Sequence, residues 1–117
     1  MRDKSELTLR KQSDFNRVYN KGKSKGSKYI VVLYRKNNLG YTRTAFVSSK
    51  KVGNAVARNR SRRIMRAAYD SIKDKIVKGY DVIFVARSSI NGIKENELQR
   101  SMYGTVKACG LITGTLS

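Results

Sequence analysis

Arginine and lysine are the residues with the clearest chemistry in this sequence, and they are concentrated in one segment. Residues 49–66 include seven of the 26 basic residues and no acidic residue. From Arg58 to Arg66 the basic residues are five arginines and no lysine. A guanidinium group can form two parallel hydrogen bonds with one phosphate, which an ammonium group cannot. The segment therefore predicts contact with a polyanion.

A helical projection divides this segment into two faces. After Asn54, a suitable N-cap, small and apolar residues fall in one arc of about 100°: Ala57, Ser61, Ile64, Met65, Ala68 and Ile72. The other arc is polar and basic: Arg58, Asn59, Arg60, Arg62, Arg63 and Arg66. We expect a helix with one face packed on a core and the other against an anionic partner.

Groups that could perform catalysis are scarce. The chain has no histidine and a single cysteine, Cys109, which excludes a zinc site made of Cys and His ligands and a disulfide within the chain. Asp70, Asp74 and Asp81 are the one acidic cluster that could hold a metal, but neighbouring lysines indicate surface ion pairs instead. Cys109 falls on an apolar helical stripe and is expected in the core. We predict no catalytic residue and no metal-binding residue.

The charge distribution narrows the class of partner. The net charge is +18, and residues 15–69 carry fifteen basic residues and no acid. A solvated face would mix the signs, and a basic helix that binds membranes carries bulky apolar residues on its other face. Here that face consists of Ala, Ser, Ile and Met, without Trp, Phe or Leu, which favours nucleic acid. No apolar run is long enough for a signal peptide or a membrane span, so we expect a cytoplasmic protein without a membrane partner.

The periodicity predicts three helices and three strands. The first helix covers residues 14–20, with Ser13 as N-cap and Gly22 just past its end. A polar loop over residues 21–28 leads to an apolar strand, residues 29–34, and turn residues 37–40 predict a hairpin to an antiparallel strand at 42–49.

The basic helix comes next and ends before Gly79. Residues 81–87 form an internal strand, and a helix from Ile93 carries an apolar stripe of Leu98, Met102, Val106 and Cys109. We expect a single domain over residues 1–117, frayed at 1–6 and 111–117. The order α-β-β-α-β-α is typical of an α+β fold, with helices packed on a small sheet.

Two features indicate RNA rather than DNA. A strand precedes and a strand follows the basic helix, whereas a helix-turn-helix needs a partner helix there. Phe15, Val18 and Tyr19 share one face of the first helix beside lysine-rich loops. These three residues are either core or a platform on which unpaired bases stack.

Several segments resemble the bacterial ribonuclease P protein subunits. Ser49-Lys50-Lys51-Val52-Gly53-Asn54-Ala55-Val56, Arg58-Asn59-Arg60 and Arg62-Arg63-Ile64 are similar to the signature of that family. Asp14-Phe15, Val18-Tyr19 and Gly22 match its first helix, Val32-Leu33-Tyr34 its first long strand, and Asp81-Val82-Ile83 with Ala86-Arg87 a later strand. The resemblance covers about residues 7–106. Two positions depart from the pattern: Ala45 stands where the family usually has glycine, and Ser48 where it has an apolar residue.

The resemblance implies a two-layer α/β sandwich with a small mixed sheet and a left-handed β-α-β crossover, a ribosomal-protein-like fold. It implies a protein cofactor of ribonuclease P, in which a catalytic RNA with magnesium removes the 5′ leader of precursor tRNA and no other protein partner is required. The residues expected to bind the catalytic RNA are Lys50, Lys51, Arg58, Asn59, Arg60, Arg62, Arg63 and Arg66. Those expected to bind the leader, in a cleft between the sheet and the first helix, are Phe15, Arg17, Tyr19, Tyr34 and Lys51.

Two other functions stay open at the level of sequence. A structural RNA-binding protein, such as a ribosomal component or an annealing factor, shares the charge pattern but would not stimulate precursor processing. A protein nuclease would cleave RNA without an RNA subunit, and would lose that activity on Asp70→Asn or Asp74→Asn.

Overall fold

A computed structural model describes residues 7–113 as three helices on a four-stranded sheet. The helices are α1 (Gln12–Lys21), α2 (Ala55–Ile72) and α3 (Glu95–Ala108). The strands are β1 (Lys23–Gly26), β2 (Ile30–Lys36), β3 (Arg43–Val47) and β4 (Tyr80–Ala86). Short 3-10 turns follow α2 at Lys73–Lys75 and β4 at Ser88–Ile90. The predicted α+β class is confirmed.

The sheet has the strand order β1-β2-β4-β3. β4 pairs antiparallel with β2 and parallel with β3. The predicted hairpin between the two strands at 29–34 and 42–49 is therefore wrong. The turn itself is present, since Asn37 Oδ1 accepts from the Leu39 amide at 2.8 Å and Asn38 has φ 60°. After this turn β3 does not pair with β2, because β4 lies between them in the sheet.

The burial of β4 explains this arrangement. Val82, Ile83 and Phe84 are all at most 1% exposed, so both faces of this strand are covered. A strand that is apolar on both faces is stabilised most in the interior of a sheet. The expectation that it is internal is confirmed, and the short β3 takes the edge. Because β3 and β4 are parallel, the chain between them crosses over the sheet, and α2 lies in that crossover.

The main core lies between one face of the sheet and the helices α2 and α3. It includes Ile30, Val32 and Phe84 from the strands, with Met65 from α2 and Met102 from α3. All five are fully buried. Phe46 stacks on Phe84 with ring centres 5.5 Å apart, and Tyr69 of α2 packs against both rings.

The strand registers place the residues of the other face in three rows across β2, β4 and β3. A charged row consists of Arg35, Asp81 and Arg43; a middle row of Leu33, Ile83 and Ala45; and a valine row of Val31, Val85 and Val47. α1 crosses this face, packing Val18 and Phe15 against the middle row. The valine row stays half-exposed.

Three local predictions need correction. Ser13 is not the N-cap of α1, because the helix begins at Gln12 after Lys11, which makes no side-chain cap. The predicted loop at 21–28 contains β1, whose four residues are exposed and pair with β2. Leu111 and Ile112 are not frayed: both are buried, and Ile112 bridges to Ile76. The remaining expected fraying, at 1–6 and 114–117, lies outside the described residues.

Other local predictions are confirmed. Asn54 caps α2 by accepting a hydrogen bond from the Ala57 amide at 2.9 Å. Gly22 follows α1 and donates its amide to Val18 at 2.9 Å. Over residues 7–113, no helix combines the length and apolar character needed to cross a bilayer.

At Gly22 the addition of a single methyl group is expected to destabilise the fold. A Cβ there would lie 2.5 Å from the Val18 carbonyl oxygen and 2.8 Å from that of Tyr34, so the backbone must shift. We expect Gly22→Ala to lower the free energy of unfolding by about 1–3 kcal/mol, the usual cost of overpacking. The matched control is Gly104→Ala in α3, where a Cβ meets nothing within 4 Å. It should stabilise by about 1 kcal/mol through helix propensity. Urea unfolding measures both, and equal effects would contradict the close approach.

Candidate nucleic-acid interface

α2 is amphipathic, as its sequence predicts. Ser61, Ile64, Met65, Ala68 and Ile72 are all buried against the sheet and α3. The first turn of the helix contains no acidic residue. Its amide groups and the positive end of the helix dipole therefore add to the attraction for phosphate at this end.

The arginines of α2 divide into two groups by their contacts. Arg58 donates to the Gly53 carbonyl at 3.1 Å and Arg60 to the Ile93 carbonyl at 2.9 Å, so both also brace the structure. Arg62 donates to Asn59 on the helix surface. Arg63 and Arg66 are exposed. The predicted catalytic-RNA set thus contains residues that orient the helix as well as residues open to a ligand.

The loop before α2 holds two more basic groups beside the helix. Lys50 and Lys51 are exposed, whereas Val52 between them and the helix is buried. The Asn91 side chain donates to the Val52 carbonyl at 2.7 Å, which ties the loop to the segment before α3. Gly53 has φ 145°, a conformation that side chains rarely adopt. The loop is therefore fixed on the C-terminal side of the lysine pair.

The two departures from the family pattern have local explanations. Ser48 is half-buried, and its hydroxyl pairs with that of Ser61 at 2.8 Å, so a polar contact replaces an apolar one. The Ser61 hydroxyl oxygen also lies 2.8 Å from the Arg58 carbonyl oxygen, within hydrogen-bond distance. Ala45 is 6% exposed in the middle row, where α1 covers it. Neither residue changes the exposed basic surface.

The cleft beside α1 has an apolar floor and an aromatic wall. Its floor is the half-exposed valine row, and its wall carries Phe15 and Tyr19, whose rings stack with centres 6.4 Å apart. Phe15 is partly buried, but Tyr19 is 45% exposed. Burial of part of its ring raises the pKa of Tyr19. Flat exposed rings above an apolar floor suit the stacking of unpaired bases.

A small pocket joins this cleft to the basic helix. It has a volume of about 220 Å³ at the edge of β3, and Phe15, Val47 and Arg66 line it. The Arg66 guanidinium lies 5.4 Å from the centre of the Phe46 ring, which orients it toward this edge. The sequence predicts that Arg66 belongs only to the set that binds the catalytic RNA. In the structure it lies where the basic surface of α2 meets the cleft beside α1.

Arg87 is a candidate that the sequence reasoning left out of the binding sets. Its guanidinium lies over Gly26 of β1, where a Cβ would come within 2.5 Å of a guanidinium nitrogen. Gly26 is opposite Val31, so this positive group borders the end of the valine row. The sequence does contain an indication of this role. Arg87 directly follows β4 and is two residues after Val85, so it falls on the same face of the sheet as the valine row.

Tyr34 does not lie with the other predicted leader residues. It points to the main-core face of the sheet, 6.4 Å from the ring of Tyr80, whereas Phe15 and Tyr19 border the opposite face. Burial and the nearby Cys109 raise the pKa of the Tyr34 hydroxyl. Arg17 lies on α1 and pairs with Asp14 at 3.1 Å. Lys51 is in the loop before α2, so it belongs to the helix surface by position.

The acidic residues and the single cysteine are the candidates for catalysis by the protein itself. Within residues 7–113, no three His, Cys, Asp or Glu side chains come close enough together to hold a metal ion. Asp70 pairs with Lys73 at 3.6 Å on the surface, as expected. Asp81 is apart from them, buried against Arg43. Cys109 is half-buried, and burial raises the pKa of its thiol, which lowers its nucleophilicity at neutral pH.

Comparison with known proteins shows the family of this chain. The sequence profile of the family described as Ribonuclease P matches residues 4–110. The chain belongs to the ribonuclease P protein family. It is 43% identical over 100 residues to the ribonuclease P protein component of Clostridioides difficile, covering 85% of this chain and 88% of that one. It is 36% identical over 108 residues to that of Thermoanaerobacter sp. strain X514, covering 92% and 93%.

Solved structures of family members share the fold. A Staphylococcus aureus RNase P protein mutant, described as defective in mRNA degradation activity, superposes with a TM-score of 0.86 and 29% identity over 93% of this chain and 92% of that one. The RNase P protein of Thermotoga maritima superposes with a TM-score of 0.79 and 30% sequence identity, covering 86% of this chain and 96% of that one. As a member of the ribonuclease P protein family, the chain is a subunit of an endoribonuclease that acts with an RNA subunit.

The two groups of arginines predict different effects of substitution. Arg60→Ala removes the hydrogen bond to Ile93 and should lower the free energy of unfolding by about 1 kcal/mol. Arg63→Ala should leave stability unchanged. If about six phosphates are neutralised, log K for binding of the ribonuclease P RNA should fall with log[salt] at a slope of about −5. Arg63→Ala should reduce the magnitude of that slope by about 1.

Thermal unfolding and salt-dependent filter binding measure these effects on the same preparations. The contact between Arg60 and Ile93 predicts a larger loss of stability for Arg60→Ala than for Arg63→Ala. The same change in both variants would show that this contact does not stabilise the fold. An unchanged salt slope for Arg63→Ala would remove that residue from the interface.

Proposed function

We propose that this chain binds the catalytic RNA of ribonuclease P through the exposed side of α2 and the 5′ leader of precursor tRNA in the cleft beside α1. The RNA subunit, with magnesium, then performs the hydrolysis. The single observation that carries this proposal is the junction at Arg66 and Phe15. There, a basic helix surface and an apolar, aromatic cleft meet at one edge of the sheet.

In this proposal each surface recognises a different feature of RNA. Arg62, Arg63 and the lysines at 50 and 51 offset phosphate charge on the folded catalytic RNA. The leader is single-stranded, so its bases can stack on Phe15 and Tyr19 above the valine row. Arg87 borders that floor and can contact the leader's phosphates. The protein thereby reduces the repulsion between two RNAs and holds the substrate without forming bonds to it.

Magnesium belongs to the RNA in this proposal. The described residues of the chain provide no cluster of carboxylate ligands, so we derive no step through an ion held by the protein. Magnesium bound by the RNA and substrate supplies charge stabilisation at the scissile phosphate. Because basic side chains already offset part of the phosphate repulsion, the holoenzyme should need less magnesium than the RNA alone. No further protein subunit is required.

A reconstitution assay tests the function directly. The chain, a bacterial ribonuclease P RNA and a precursor tRNA are combined at low magnesium, and release of the 5′ leader is followed on gels. We expect rapid cleavage with both components, slow cleavage with the RNA alone, and none with the protein alone. Absence of stimulation would favour a structural RNA-binding protein.

Cleavage by the protein alone would instead indicate that the chain is itself a nuclease. This outcome is tested because the description of the Staphylococcus aureus protein names an mRNA degradation activity. Asp70→Asn and Asp74→Asn then decide whether those carboxylates are responsible.

The cleft assignment makes a separate prediction for two aromatic residues. Phe15→Ala should weaken holoenzyme binding of a precursor with a ten-nucleotide leader by about 1–3 kcal/mol, the value of one stacked base, and should leave a leaderless substrate unaffected. Tyr34→Ala was expected from the family resemblance to act in the same way. Since Tyr34 faces the main core, we now expect it to lower stability without leader-specific loss. Leader-specific loss in Tyr34→Ala but not in Phe15→Ala would place the leader on the other face.

A further inference from the structure

Four charged residues form a continuous chain of contacts from the interior of the sheet to the surface of α1. Arg43 of β3 donates to both carboxylate oxygens of Asp81 on β4, from Nε at 2.9 Å and from Nη2 at 2.7 Å. Its remaining nitrogen, Nη1, lies 3.3 Å from Oδ2 of Asp14 on α1. Oδ1 of Asp14 accepts from Arg17 at 3.1 Å. We call these four residues the charged ladder.

The ladder is most buried at its Asp81 end and most exposed at its Arg17 end. The side chain of Asp81 is 3% exposed, that of Asp14 12%, that of Arg43 18% and that of Arg17 47%. The Asn37 side chain donates to Oδ1 of Asp81 at 2.9 Å, which completes the partners of the deepest carboxylate. The hydrogen bond with Asp81 raises the pKa of Arg43 further, so the guanidinium stays charged. A paired, fully hydrogen-bonded arrangement of this kind has a well-defined geometry.

The ladder is the polar attachment of α1 to the sheet at the helix's N-terminal end. Apolar contact there is small, because Val18 is the one fully buried apolar side chain of α1 and Phe15 is only partly covered. At the other end, Gly22 passes close to the Tyr34 carbonyl of β2. Directly before α1, the Leu9 amide donates to the Thr44 carbonyl of β3 at 2.9 Å. The chain around α1 is thus attached beside β3 by this backbone contact and by the ladder, and beside β2 at Gly22.

The helix fixed in this way is the wall of the proposed cleft. Asp14 immediately precedes Phe15, and Arg17 lies one turn further on, between Phe15 and Tyr19 in sequence. If the contact from Asp14 to Arg43 is lost, the height of Phe15 above the valine row is no longer set by an ion pair.

We propose that Asp14 and Arg43 are positioning residues for recognition of the leader. They touch no RNA themselves, but they fix α1, and with it Phe15 and Tyr19, above the sheet. This inference rests on the proposed function, since it assigns a role within the same cleft.

The direction in which Asp14→Asn changes RNA affinity distinguishes a positioning role from a general effect of charge. Asp14→Asn raises the net charge by one, which by itself strengthens binding to any RNA. Positioning predicts the opposite for the leader alone. Asp14→Asn also leaves the pair of Arg43 with Asp81 intact, so the sheet keeps its buried ion pair. The matched control is Glu95→Gln, an exposed site in the first turn of α3 with the same charge change.

The experiment measures the affinity of the reconstituted holoenzyme for precursors with a ten-nucleotide leader and with no leader. We expect Asp14→Asn to weaken binding of the leader-containing precursor about fivefold, the net value of one ordinary hydrogen bond, and to leave the leaderless substrate and catalytic-RNA binding unchanged. Glu95→Gln should bind both precursors at least as tightly as the wild-type chain. Arg43→Lys keeps the charge but loses the paired geometry, and should act in the same direction as Asp14→Asn.

Equal or tighter binding of the leader-containing precursor by Asp14→Asn overturns the proposal, as does equal loss for both precursors. Circular dichroism and thermal unfolding of each variant show whether it is folded at the assay temperature; Arg43→Lys decides the outcome if Asp14→Asn is not. Failure of the proposed function is visible earlier, because the wild-type holoenzyme would then show no preference for a leader.

Discussion

The parallel pairing of β3 with β4 is the constraint on which the rest of this molecule depends. Two neighbouring parallel strands cannot be joined by a tight turn, so the chain between them must cross one face of the sheet. That crossover is α2, and its small, apolar side packs on the sheet, so the arginines face outward. The same pairing puts β3 at the sheet edge, so Arg66 and Phe15 meet there. One pairing therefore brings the basic helix and the cleft together.

The second face of the sheet shows how a weakly packed element can still be placed with precision. α1 covers the middle row but leaves the valine row half-exposed, so apolar burial alone gives little reason for one position over another. Ion pairs with fixed geometry are directional where apolar contact is not. In a protein whose charges mostly repel, two of its few acids, Asp14 and Asp81, are used inside the fold. Both neutralise Arg43, which would otherwise be a buried unpaired charge.

The sequence predicts the parts of this fold that depend on local pattern. The amphipathic period of α2, its Asn54 cap and the internal character of β4 follow from residues close together in the chain. The hairpin prediction was wrong because turn residues show that the chain reverses, not which strand it then meets. The sequence predicts a loop at β1 because an exposed edge strand of lysine, serine and glycine has no apolar alternation. Its pairing comes from β2, and its lysines protect the free edge.

The same distinction applies to the binding residues. The basic set on α2 is contiguous, so composition and period identify it. Arg87 and Gly26 come together only through the pairing of β1 with β2 and β2 with β4, and no local pattern predicts that. Tyr34 shows the converse. Neighbours in sequence point to opposite faces of a strand, so a family motif that spans Leu33 and Tyr34 does not by itself assign a face. Burial decides it: Tyr34 packs with the main core, and Leu33 packs beneath α1. Because an aromatic ring is apolar enough for a core and flat enough for a base, an aromatic residue can be assigned to RNA only after the face of the sheet is known.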